Sequence, residues 1–244
     1  MSNLNPGAAG AEFRIGEVLS LSFQVLHKGL WKFLALSVLP VVPALAMGFG
    51  AAVDPQSAVA IGFVALLLFI IFGMIAQAAL VYGALEELRG KGFTIADAFS
   101  KGFRRFWPVL GVAIVSGVII IVGLLALLVP GFIALCMLYV AIPACVVEEW
   151  GVVQSLTRSA DLTKGYRWPI FWLILLVIFG APIASSLFVD MVQMIAGGVV
   201  ASLLDMAIQI YLTALGSTLV AIIYYRLRVI KDGVDIDRIA HVFD

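Results

Sequence analysis

The chain has 244 residues, of which 63% are hydrophobic and only 12% are charged, and its fifteen basic residues balance fifteen acidic ones. A water-soluble domain carries about 25% charged residues, so this composition excludes an ordinary soluble protein. The zero net charge does not indicate a nucleic-acid partner, and none is expected.

The N-terminal segment is small and polar and lacks the apolar core of a signal peptide, so residues 1–11 are predicted to be disordered. Residues 12–28 then show the periodicity of an amphipathic helix. This segment is too polar to cross a bilayer and is predicted to lie on the membrane surface. Two similar segments follow: one begins with a predicted capping box at Thr94 and Asp97, and the other leads to Lys164.

Six apolar runs of membrane-span length are predicted to be helices, because backbone amides in hydrocarbon must be satisfied internally. They belong to one membrane domain, residues 12–225, which a cytoplasmic tail at residues 226–244 follows. The last apolar block is too long for one span and is divided near Gly197-Gly198 into an interfacial piece and a sixth span. The predicted spans cover residues 31–53, 58–83, 107–129, 132–147, 168–189 and 205–225.

The predicted fold is all-α, a polytopic membrane helical bundle. Its six transmembrane helices form three hairpins, each preceded by a cytoplasmic interfacial amphipathic helix. In this arrangement all fifteen Lys and Arg residues fall on one side, while the opposite loops hold Asp54 and Asp190. The positive-inside rule then predicts that both termini lie in the cytoplasm. An aromatic belt at the same boundary comprises Trp31, Trp107, Trp150 and Trp168.

The three predicted hairpins begin with the same layout of a Lys-Gly pair followed by a tryptophan. The pairs are Lys28-Gly29, Lys101-Gly102 and Lys164-Gly165. One interpretation is internal duplication of a unit of one surface helix and two spans. The other is that any membrane hairpin needs basic and aromatic anchors where it begins.

Several segments resemble a family of bacterial membrane proteins. They are Gly102–Gly111, Ala141–Glu149, Ser155–Trp168 and the C-terminal sequence YYRLRVIKDGVDIDRIAHVFD. Together they resemble the membrane domain of glycerophosphoryl diester phosphodiesterases, a grouping that also includes YciC-like membrane proteins. The resemblance implies a multi-pass membrane component of the bacterial inner membrane. It does not imply phosphodiesterase activity, because two histidines cannot supply the histidine pattern of the soluble catalytic barrel.

The sequence contains no recognisable catalytic set. Cys136 and Cys145 lie nine residues apart without a CxxC motif and are interpreted as packing thiols. His27 and His241 are isolated at opposite ends of the chain. No Ser/His/Asp order, glycine-rich phosphate loop or HExxH motif is present. The chain is therefore expected to be non-enzymatic, with no cofactor or metal.

Three groups of residues are candidate sites. The first consists of basic and aromatic residues predicted to contact anionic lipid headgroups, namely Lys101, Arg104, Arg105, Trp107, Lys164, Arg167 and Trp168. The second is an intramembrane polar face with a spacing of four residues, formed by Asp205, Gln209 and Thr213. The third is an interfacial ion-pair cluster of Glu148, Glu149 and Arg158.

The expected function is a non-enzymatic membrane module that binds lipid or a protein partner through its cytoplasmic polar surface. Its expected partners are membrane lipids, with a cytoplasmic or membrane protein as a further option. The alternative is a small transporter or channel component that uses the polar face of the sixth span. Contact of that face with Gln77 and Ser116 would favour transport, whereas dry packing against small residues would favour the membrane module.

Overall fold

The structure is a computed structural model that describes residues 13–43, 45 and 55–233. The predicted disordered N-terminus, the outer part of the predicted first span, Asp54 and most of the predicted C-terminal tail, including His241, lie outside the described residues. Every regular element in the described part of the chain is a helix. The prediction of an all-α membrane helical bundle is therefore confirmed.

We label the helices in chain order. They are α1 (Ile15–Lys28), α2 (Leu30–Ser37), α3 (Pro55–Leu88), α4 (Ile95–Arg104), α5 (Phe106–Ala126), α6 (Leu128–Leu138), α7 (Ala141–Val147), α8 (Val152–Thr163), α9 (Arg167–Leu175), α10 (Ala181–Ala196) and α11 (Gly198–Asp232). A π-helical turn, Leu176–Gly180, joins α9 to α10.

In the described residues, five helical segments are long and apolar enough to cross a membrane. They are Val59–Leu88, Phe106–Ala126, Leu128–Val147, Arg167–Ala196 and Gly198–Asp232. A sixth candidate consists of α1 and Leu30–Pro43, which meet at a bend of 90°. The chain is thus a multi-pass membrane protein, and its described residues contain five candidate spans, or six if this bent pair is one span.

Amphipathic helices precede spanning segments at three places, formed by α1, α4 and α8. The N-cap of α4 has the predicted chemistry, because the Thr94 hydroxyl oxygen accepts a hydrogen bond from the Asp97 backbone N–H at 3.1 Å. Helix α1 buries Val18, Val25 and Leu26 and packs against α3 and α11. The chain then bends at Gly29, so α1 lies across the direction of the segment that follows it.

Two breaks give the spans bounds that differ from the predicted ones. Residues 191–196 form the end of α10 and do not make a separate interfacial piece, because no glycine or proline interrupts the helix between Pro182 and Gly197. Gly197 has a φ of 84°, which a residue without a side chain adopts readily, and α11 begins directly after it. The fourth span is divided between α6 and α7, where Pro143 cannot donate the helical hydrogen bond to the Tyr139 carbonyl.

The buried core lies at the end of the bundle that carries the amphipathic helices. Its largest fully buried side chains include Phe33, Leu80, Leu173 and Ile223. The other ends of the spans expose apolar side chains, as most of residues 59–71 of α3 do. Apolar surface of this kind is suited to contact with lipid tails. Close packing at this end of the bundle therefore holds the polar side chains there in fixed positions.

Candidate functional site

Two of the predicted lipid contacts, Lys101 and Arg105, form an ion-pair clamp around Glu149. The ammonium nitrogen of Lys101 lies 2.7 Å from Glu149 Oε1, and Nη2 of Arg105 lies 2.6 Å from Glu149 Oε2. Arg105 Nη1 also donates to the Glu149 backbone carbonyl at 3.1 Å. Glu149 has a φ of 57°, an uncommon backbone conformation for a residue with a side chain. The clamp thus holds a strained turn after the fourth span.

The clamp also changes the acidity of Glu149. A hydrogen bond from Lys101 and the positive charge of Arg105 hold the pKa of this carboxyl group below its ordinary range. The carboxylate is half exposed, so solvent screens much of the attraction. Lys101 and Arg105 are therefore already paired with a protein carboxylate and are less available to a lipid phosphate.

Glu148 belongs to a different cluster from Glu149, so the three residues of the predicted ion-pair group do not form one unit. The nearly buried Glu148 carboxylate accepts hydrogen bonds from Arg158 Nε at 3.1 Å and from the Tyr224 hydroxyl at 2.7 Å. Arg158 also pairs with Asp232 at the end of α11. This cluster joins the end of α7 to α8 and α11.

Sequence reasoning did not identify Tyr224 as part of this cluster. Tyr224 lies inside a long apolar block, and a tyrosine near a span end is usually read as an interfacial anchor. Its side chain is 1% exposed, and its hydroxyl group points to a carboxylate 76 residues earlier in the chain. A buried tyrosine usually needs a hydrogen-bond partner for its hydroxyl group, and Glu148 supplies that partner here.

The third hairpin start differs from the second, because its predicted lipid contacts line a cavity. The cavity has a volume of about 510 Å³ and lies between α6 and α9. Two lining residues, Lys164 and Arg167, are basic, and none is acidic. The remaining walls are apolar or lack a side chain, and they comprise Val129, Phe132, Ile133, Cys136, Gly165, Trp168 and Phe171.

The two cations at this cavity have no ion-pair partner among the described residues. Arg167 in addition makes no hydrogen bond there through its side chain, and its Nε is buried without an acceptor. A buried donor without an acceptor costs about 1–3 kcal/mol, so this guanidinium group is suited to an anion that comes from outside the chain. Gly165, with a φ of 92°, forms the turn that brings Lys164 and Arg167 to the same cavity.

Arg104 and Trp107, the other predicted lipid contacts, lie at the surface and do not line the cavity. Arg104 is exposed and has no ion-pair partner in the described part of the chain. The Trp107 side chain is 75% exposed, and that of Trp168 is 74% exposed. Large exposed tryptophans beside basic residues are typical of the boundary between bilayer and water.

The predicted polar face of the sixth span has little contact with other polar groups. Gln209 and Thr213 are exposed, Asp205 is half-buried, and the Thr213 hydroxyl donates to the Gln209 backbone carbonyl at 2.8 Å. One helical turn further, Ser217 Oγ lies 2.8 Å from Gln77 Oε1. Gln77 thus contacts Ser217, which continues this face, and it makes no hydrogen bond to the three predicted residues. These contacts do not favour the transport interpretation.

Ser116 and the two cysteines add no recognised reactive centre. The buried hydroxyl group of Ser116 has no hydrogen-bond partner among the described residues. Cys136 and Cys145 are free and buried, and Cys136 is part of the cavity wall. Residues 13–43, 45 and 55–233 contain no group of three or more His, Cys, Asp or Glu residues that could hold a metal ion.

The cavity beside Lys164 and Arg167 is the strongest candidate site in the described part of the chain. It combines an apolar interior with two unpaired positive charges, and its chemistry therefore suits an amphipathic anion. Comparisons with protein-family models, curated proteins and solved structures find no match for the chain. Its function is accordingly inferred from the chemistry of this end of the bundle.

Proposed function

We propose that this chain is a non-enzymatic protein of the bacterial inner membrane that binds anionic phospholipid through the basic end of its helical bundle. One observation carries the proposal: cations beside exposed tryptophans lack protein partners among the described residues. They are Arg104, Lys164 and Arg167. Near an anionic leaflet, each such cation contributes about 1 kcal/mol of attraction.

The ion pairs between distant segments support a shared polar surface at one end of the bundle. Each pair joins two parts of the chain that are far apart in sequence, and the residues concerned belong to segments that precede or follow spans. The pairs are Lys28 with Glu87, Lys101 with Glu149, Arg158 with Asp232 and Arg226 with Glu17. By the positive-inside rule, this surface faces the cytoplasm in our proposal, with both termini on that side.

The resemblance to the membrane domain of glycerophosphoryl diester phosphodiesterases is part of the same proposal. It contributes the membrane architecture only, because the motifs that carry it are structural rather than catalytic.

The test is a comparison of co-purifying lipids by mass spectrometry. The variant Arg104→Gln/Lys164→Gln/Arg167→Gln should lose anionic phospholipid relative to the wild-type protein while it keeps the same elution profile. The control removes the same charge from cations that are paired with carboxylates. It consists of Arg89→Gln, Lys101→Gln and Arg226→Gln.

The paired control should retain most of the bound lipid, because those cations are already neutralised within the protein. Unchanged anionic lipid in the triple variant that lacks the unpaired cations would refute the proposed function. Equal loss in both triple variants would show that net charge alone determines lipid binding, and it would remove the observation on which the proposal depends.

A further inference from the structure

We infer that the cavity between α6 and α9 binds one anionic phospholipid molecule, with the phosphate at Lys164 and Arg167 and one acyl chain inside the cavity. This inference rests on the proposed function and deepens it from a basic surface to a single site. The juxtaposition that carries it is a pair of unpaired cations at the edge of an apolar cavity.

The two cations offer complementary ways of holding a phosphate. A guanidinium group presents a planar fork of donors that matches two phosphate oxygens, whereas an ammonium group acts as a compact point charge. The Arg167 side chain donates no hydrogen bond to any described residue, so its guanidinium donors are not engaged within that part of the chain. No carboxylate lines the cavity and competes for these donors.

The walls of the cavity are suited to a hydrocarbon chain. Phe132 and Phe171 meet edge to face, with ring centroids 5.6 Å apart, and form one continuous aromatic wall. Val129 and Cys136, both in the lining, are seven residues apart on α6, which corresponds to about 10 Å along the helix. The apolar part of the cavity therefore extends away from the cations along the fourth span.

The volume of the cavity limits how much of a lipid it can hold. About 510 Å³ lies within the range of roughly 300–1,000 Å³ that is typical of small-molecule sites. If each non-hydrogen group takes about the volume of one water molecule, roughly 30 Å³, the cavity holds on the order of 15–20 such groups. That is enough for one acyl chain or most of it, so the second chain of a phospholipid would remain in the bilayer.

The other two hairpin starts lack this combination in the part of the chain that the structure describes. At the first, the Lys32 ammonium nitrogen lies over the Phe93 ring, 5.1 Å from its centroid. At the second, Lys101 and Arg105 are paired with Glu149. The repeated Lys-Gly pattern thus leads to a lipid site at the third hairpin only.

The experiment is native mass spectrometry of the full chain, with phosphatidylglycerol as the probe and phosphatidylcholine as the uncharged reference lipid. The wild-type protein should retain one phosphatidylglycerol molecule at low lipid concentration. Arg167→Gln should weaken this binding about tenfold, as expected for loss of a charged hydrogen bond. Arg104→Gln is the comparison variant and should weaken this binding clearly less than Arg167→Gln, since Arg104 is an unpaired cation beside a tryptophan but does not line the cavity.

Two further variants separate headgroup from chain recognition and guard against misfolding. Ile133→Trp fills the cavity while it leaves both cations in place, and it should weaken phosphatidylglycerol binding severalfold. Arg167→Lys keeps the charge but loses the fork, and its affinity should lie between those of the wild type and Arg167→Gln. Glycerol phosphate is included as a competitor that has the headgroup chemistry but no acyl chain.

The outcomes distinguish this inference from the proposed function. Equal weakening by Arg104→Gln and Arg167→Gln would refute the single site and leave the basic lipid-binding surface standing. No weakening in any cation variant would refute both. Full binding in Ile133→Trp, or competition by glycerol phosphate as strong as that by the lipid, would show that the acyl chain does not occupy the cavity and would also overturn the inference.

Discussion

Gly102 is the position at which the packing of an amphipathic helix onto a span can be tested most directly. In α4 this glycine faces α3, and a methyl group added there would lie 2.5 Å from the Ile75 carbonyl oxygen. The same group would lie 3.2 Å from the Ala79 backbone nitrogen and 3.3 Å from its Cβ. Two of these three atoms are backbone atoms of a helix, so they cannot move without displacing α3 or α4.

We therefore expect Gly102→Ala to destabilise the protein, although alanine has the higher helix propensity. The propensity gain is about 1 kcal/mol, whereas forcing a group into a close-packed contact costs about 1–3 kcal/mol. The 2.5 Å approach to a carbonyl oxygen places this contact at the upper end of that range. The expected net loss is about 1–2 kcal/mol, which corresponds to a melting temperature lower by several degrees.

The assay is size-exclusion chromatography after heating in detergent, combined with hydrogen exchange of residues 95–104. The control is Gly117→Ala in α5, where an added Cβ meets no atom within 4 Å. That variant should melt at or slightly above the wild-type temperature. If Gly102→Ala behaves like Gly117→Ala in both measurements, α4 does not pack on α3 at the distance described here.

Three other predictions concern the polar clusters and the topology. Tyr224→Phe removes a donor to the nearly buried Glu148 and should cost about 1 kcal/mol, seen as a lower melting temperature; an unchanged value would show that this hydrogen bond is not made. Two neighbouring cations lower the folded-state pKa of Glu149, so its stabilising contribution is complete above its ordinary pKa of about 4.3 and is lost as pH falls through the lowered value. Wild type should therefore melt above Glu149→Gln at pH 7, and the difference should disappear in stronger acid; a gap that persists there would contradict the ion pair. The third prediction uses single cysteines in a cysteine-free background and an impermeant thiol reagent. A cysteine at the exposed Gln193 should be labelled from outside the cell, and one at the exposed Thr157 should not. Labelling at position 157 would refute the proposed orientation.

Local patterns in the sequence were sufficient to predict the helices and to distinguish apolar spans from amphipathic surface helices. Hydrophobic runs of span length, amphipathic periodicity and the Thr94 cap are each set by residues a few positions apart, so no distant contact is needed to recognise them. The repeated Lys-Gly pair shows the limit of local patterns, because the same two residues have a different structural role at each of the three places. Gly29 lies at a bend, Gly102 permits a close approach between helices, and Gly165 adopts a positive φ.

Whether a basic side chain is paired within the protein or can bind an external anion depended on contacts between distant segments. Arg104 and Arg105 are neighbours with the same charge, yet one is unpaired among the described residues and the other is held by a carboxylate 44 residues away. The cavity likewise needs walls from α6 and α9, which are separated in the sequence by the whole of α7 and α8. By itself the sequence determined which segments are long and apolar enough to cross a membrane, because that property depends on local composition. Only the tertiary structure decided which basic side chains remain unpaired beside an apolar cavity, because ion pairing and enclosure depend on which helices pack together.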